Sequence, residues 1–132
     1  MQREDMLAKV EAAYQARRTG NFSALQTIVS ENAEFSFAGE QSLQAALPGS
    51  GGVGVHLAAR QLFDTIKMPT LKPIEVVAEG NRIAILWHAT LVPPGGEAFE
   101  TDMFDLWEFD DEGRICKGTQ FLDTAKLIAV ML

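Results

Sequence analysis

Apolar positions in the first third of the chain recur at helical intervals. Between residues 4 and 19, Met6, Leu7, Val10, Ala13 and Tyr14 follow one another at spacings of three and four, which predicts a helix with one apolar stripe. Gly20 ends it. Asn21 is a good N-cap for a second, short helix over 22–29, in which Leu25, Ile28 and Val29 share a face. Phe35 and Phe37 then alternate with Glu34 and Ser36, the period of a short strand over 33–37 buried on one side. Residues 40–54, rich in Gly, Ser and Gln, read as a loop. Helical spacing returns over 55–68 through Ala59, Leu62, Phe63 and Ile66, and Pro69 closes a third helix, because proline disfavours helical geometry in the residue before it.

After Pro73 the pattern becomes β. The stretches 74–79, 82–92, 97–110 and 114–123 are rich in branched and aromatic residues. They are joined by turns at Gly80-Asn81, Pro93-Pro94-Gly95-Gly96 and Asp111-Glu112-Gly113. Consecutive hairpins predict an antiparallel meander, and helices followed by strands predict an α+β fold. The expected architecture is a cone-shaped, curved antiparallel sheet wrapped on three N-terminal helices, its open end forming one ligand pocket.

Length and charge narrow the function classes. At 132 residues the chain matches one compact domain, expected to span residues 1–132. Eleven Lys and Arg against 18 Asp and Glu give a net charge of −7, which repels phosphate backbones and argues against nucleic acid as a partner. The longest apolar run, 127–132, is six residues, whereas a membrane-spanning helix needs roughly 20, so no membrane association is expected. The first residues mix charges and lead into no apolar stretch, which makes a cytoplasmic location the expectation. The single cysteine, Cys116, precludes an internal disulfide or a multi-cysteine metal site.

Candidate chemistry gathers on the late strands. Alternation puts Met103, Asp105 and Trp107 on one strand face, and Gln120 and Leu122 share a face with Gly118. If that face lines the pocket, desolvation raises the pKa of Asp105 and makes it a proton donor near neutrality, with Gln120 orienting it by a hydrogen bond. Trp87, Phe37 and Phe63 are expected to complete the apolar lining, and His56, in the first turn of the third helix, is a candidate for the pocket mouth. His88 falls on the opposite strand face with Thr90, where an interface role fits better. The run Gly49 to Gly54 spells G-x-G-x-x-G, but no strong strand precedes it and the later strands form hairpins, so a dinucleotide site is not expected. The acidic residues from Glu97 to Glu112 match no calcium loop. No cofactor or metal is expected.

The segments Tyr14-Gln15-Ala16-Arg17-Arg18-Thr19-Gly20-Asn21-Phe22-Ser23-Ala24-Leu25, Gly54 to Phe63, and Asp105-Leu106-Trp107-Glu108-Phe109 with Asp111-Glu112-Gly113-Arg114-Ile115 resemble the nuclear transport factor two-like superfamily. The likeness is to its SnoaL-like and ketosteroid isomerase-like members in particular. Ketosteroid isomerases use a neutral aspartic acid that donates a hydrogen bond to an oxyanion. The resemblance implies that Asp105 corresponds to that acid. Counted from Gly20, the family's tyrosine falls on or beside Ala13, which leaves Tyr14 one residue and about 100° around the helix from it. The base position falls near Phe37, so the isomerase reaction itself is not implied. The Arg and Asp set of limonene epoxide hydrolase-like members is replaced by Gln120 and His88, and for cyclases of the SnoaL type Asp105 and His88 remain candidates.

Two function classes follow. One is a cofactor-independent isomerase-, cyclase- or hydratase-like enzyme acting on a small hydrophobic molecule through Asp105 and Gln120, with Tyr14 among its ligand contacts. The other is a non-catalytic ligand-binding or dimeric interaction module. The outer sheet face, with Leu86, His88, Thr90, Phe104 and Leu106, is expected to pair two copies as a homodimer.

Overall fold

The computed structural model describes residues 1–38, 66–123, 125, 126 and 129. In chain order these form α1 (Arg3–Thr19), α2 (Phe22–Ile28), β1 (Val29–Ala38), β2 (Lys67–Glu79), β3 (Arg82–Val92), β4 (Phe99–Phe109) and β5 (Ile115–Phe121). Helix α1 buries Met6, Val10, Ala13 and Tyr14 as the spacing predicts, and its buried face continues one turn further to Arg17. It stops at Gly20, whose left-handed φ of 71° lets its N–H and that of Asn21 return to carbonyls of the last turn. The Asn21 side chain then accepts from the Ala24 N–H at 3.2 Å and starts α2.

The strands form one open sheet in the order β1-β5-β4-β3-β2. The four late strands make the expected antiparallel meander, but β1 joins beside β5 in parallel, so the sheet is mixed. Ile83, Ile85, Trp87, Ala89 and Leu91 of β3 are buried and alternate with half-buried positions, which fixes the core face.

One expectation needs correction. β2 begins at Lys67, so Met68 and Pro69 belong to a strand and do not close a helix; of the three expected helices, α1 and α2 are found among the described residues. The physical reason is position: β2 is an edge strand, where proline's missing N–H is tolerated, and the pairing with β3 shifts register on either side of Pro69 and again after Pro73. The loop expected over 40–54 and, up to residue 65, the helix expected over 55–68, with His56 and Phe63, lie outside the described residues.

One close approach shapes the core. Gly118 of β5 stands opposite Trp107 of β4 on one side and Phe35 of β1 on the other. The Trp107 ring lies across it, so that a Cβ at Gly118 would come within 2.3 Å of the indole. Phe35 and Trp107 stack with centroids 6.0 Å apart. An indole thus fills the space beside Gly118. On the outer face Phe104 and Phe121 remain 41% and 46% exposed, their rings 6.1 Å apart. Among the described residues, no helix is long and apolar enough to cross a membrane.

Candidate functional site

Asp105 sits in the middle of the sheet, opposite Ile85 of β3 and Gln120 of β5, and has no exposed surface. Its carboxylate has two donors. The Tyr14 hydroxyl, brought down from α1, donates to Oδ2, and the Trp87 indole N–H donates to Oδ1 at 2.9 Å. The sequence pairs Gln120 with Asp105; in the fold its Nε2 instead donates to the Tyr14 oxygen at 2.6 Å. The two residues are ladder neighbours, but Tyr14 inserts between their polar ends and takes the bond. The Tyr14 ring is pinned edge-on to Trp87 and Trp107, with centroids at 5.4 and 6.0 Å.

Burial dominates the electrostatics. It raises Asp105 from 3.8 to about 6, against the pull of the Tyr14 and Trp87 hydrogen bonds, a weaker pull from Trp107, and the Arg17 charge. Burial, then the Asp105 charge, pushes Tyr14 well above its ordinary value, so Tyr14 stays a donor at neutral pH. Asp105 therefore exchanges its proton close to neutrality while remaining sealed from water.

A small, mostly apolar cavity of ≈ 30 Å³ lies beside this network, walled by Ala13, Tyr14, Arg17, Leu25, Val29, Phe35 and Trp107. That volume accommodates about one or two water-sized groups. The Trp107 Nε1 is buried and has no hydrogen-bond partner among the described residues. Asp105 is not on the wall, whereas its hydrogen-bond donor Tyr14 is.

The expected site residues thus separate. Asp105, Gln120, Tyr14 and Trp107 come together. Trp87 and Met103 are packed in the core, and Leu122 lies against its margin, none of them on the cavity wall. Phe37 is opposite Gln120 in the ladder, and its side chain, like His56 and Phe63, lies outside the described residues. His88 is on the outer face, 3.0 Å from Asp102 and 3.4 Å from Glu100, which raise its pKa. No group of three His, Cys, Asp or Glu among the described residues could hold a metal ion. Arg17 is a site residue that the sequence reading misses. Its signal is there all the same, since it continues the apolar stripe of Val10, Ala13 and Tyr14 by one turn.

Residues 10–118 match the SnoaL-like domain. The chain belongs to the SnoaL-like family. Its fold is that of the NTF2-like superfamily. An NTF2-like protein from Burkholderia xenovorans LB400 superimposes with a TM-score of 0.78 at 21% identity, covering 100% of this chain and 99% of that one. A proposed SnoaL-like polyketide cyclase from Jannaschia sp. CCS1 gives 0.73 at 15% identity, over 98% and 92% of the two chains. An LEH-like epoxide hydrolase from M. tuberculosis gives 0.70 at 15% identity, over 96% and 88%. No curated protein matches the chain in sequence. At these identities the neighbours share the fold, and chemistry has to be argued from the site.

Proposed function

We propose that this SnoaL-like protein is a cofactor-independent enzyme of the isomerase, cyclase or hydratase kind. It moves a proton to or from the oxygen of a small apolar carbonyl- or epoxide-bearing molecule through Asp105 and Tyr14. The observation that carries this reading is the sealed Asp105–Tyr14–Gln120 cluster, centred on a tyrosine that also lines a cavity. When Asp105 is protonated at Oδ2 it donates to the Tyr14 oxygen, and Tyr14 passes its own proton to the ligand oxygen. The carboxylate left behind takes a proton back along the same path. The Gln120 N–H holds the Tyr14 oxygen throughout, and the Trp107 N–H beside Asp105 favours the carboxylate left behind. The polyketide-cyclase and epoxide-hydrolase descriptions of structural neighbours support this class of substrate.

A second reading, a non-catalytic binding module, is favoured by one observation: Asp105 is fully buried and does not line the cavity, so a bound molecule meets no carboxyl there. Deuterium exchange at the α-carbon of a panel of cyclic ketones in D₂O separates the two. The enzyme reading expects exchange faster than buffer, reduced by about a hundredfold or more in Asp105→Asn and in Tyr14→Phe, the usual effect of losing one donor from a dry site. Equal exchange in wild type and both variants removes the pair from any mechanism and leaves the binding module.

A further inference from the structure

Among the described residues, Arg17 makes no contact that accounts for its burial. It is 6% exposed, its Nη2 donates to the Met68 sulfur at 3.1 Å, and its guanidinium lies 4.9 Å from the Tyr14 ring centroid. Thioether sulfur is a weak acceptor, and a guanidinium carries five N–H donors. Among the described residues no carboxylate lies within ion-pair distance of it. Asp105 is already engaged by Tyr14 and Trp87. A place in the last turn of α1 suits a cation, but it does not require burying one. A buried charge without a counter-charge is expensive unless something pairs with it.

Arg17 also belongs to two walls. On one side it faces the small cavity beside Tyr14, and on the other it lines a cleft of ≈ 480 Å³. That cleft has Arg18 and Lys67 with it, and Ile66, Met68 and Val92 as apolar surface. Among the described residues no acidic side chain lines it, in a chain whose net charge is −7. The volume is that of a small-molecule site. A planar guanidinium matches a carboxylate in a two-pronged geometry.

We propose that this cleft binds a small apolar carboxylate, its anionic group paired with the Arg17 guanidinium and its hydrocarbon body resting on Ile66, Met68 and Val92. This deepens the function proposed above, on which it rests only for the ligand's role as a substrate. Arg18 adds positive charge to the cleft against the negative field of the rest of the molecule. Arg17 places the bound molecule beside the cavity where Tyr14 ends.

Calorimetric titration with 2-naphthoate and with its neutral methyl ester tests the proposal without any turnover. The wild-type protein is expected to bind the carboxylate at least about tenfold more tightly than the ester, and Arg17→Met to bind the two alike. Arg17→Lys, which keeps the charge and loses the fork, is expected to fall between them. Equal affinity of the wild type for acid and ester, no binding of either, or an unchanged preference in Arg17→Met overturns the proposal. If Arg17→Met does not fold, the wild-type comparison of acid and ester still decides. Naphthoate binding through Arg17 in a protein that exchanges no ketone protons would sink the catalytic reading and leave this one standing.

Discussion

Asp105 illustrates how one residue takes its chemistry from its surroundings. A carboxyl that titrates at about 6 when folded and near 3.8 otherwise is, over that interval, more protonated in the native state. Stability then falls as pH rises from about 4 to about 6, and the loss, about 3 kcal/mol at 1.36 kcal/mol per unit, persists at higher pH. Denaturant unfolding at a series of pH values is therefore expected to show the wild type losing about that much relative to Asp105→Asn between pH 3.5 and 7. A constant difference between the two proteins would remove the raised carboxyl. Strand alternation is enough to place Asp105 on the inner face. It is not enough to name its partners, because ladder register puts Gln120 opposite while the long Tyr14 side chain from a different element takes the bond. Arg17 escapes notice for a related reason. Two arginines just before a glycine read as ordinary C-terminal helix charges, and only the packing of α1 shows that one of them points inward.

Among the elements, the strands of the meander are the most legible, because branched residues at period two and glycine turns agree with each other over β3, β4 and β5. The N-terminal half of β2 is not, since two prolines and a helical run upstream all argue against a strand, and only its place at the sheet edge makes them acceptable. The parallel pairing of β1 with β5 is equally hidden, for no turn joins these strands and nothing local specifies their contact. Once paired, they depend on Gly118. A methyl group there meets the Trp107 ring, which is held by Phe35 and Tyr14 and has nowhere to retreat. Gly118→Ala is expected to cost about 1–3 kcal/mol, the usual penalty of overpacking, and to shift tryptophan emission as the indole is displaced. An unchanged unfolding midpoint and emission would show that the ring is not seated against β5.

For the whole molecule, the helices cover one face of the sheet and leave Phe104 and Phe121 on the other. We expect a second copy to cover this aromatic pair, since an isologous homodimer is the commonest way for a chain to bury an exposed apolar face. Sedimentation velocity at micromolar concentration is expected to find a dimer, and Phe104→Glu a monomer that retains its fold. A monomeric wild type would leave that face without a partner. The site does not depend on the outcome, because Asp105, Tyr14 and Arg17 are all held from the helix side of the sheet.

At the centre of the proposed chemistry is a carboxyl group that the fold seals from water while its proton stays exchangeable near neutrality. Carbon-detected NMR titration of the aspartate side-chain carboxyls, with Asp105 assigned by its loss in Asp105→Asn, measures this directly. The wild type is expected to titrate at about 6, and Tyr14→Phe higher, because the tyrosine hydrogen bond favours the ionised form. A midpoint at or below the ordinary 3.8, unmoved by Tyr14→Phe, would contradict it.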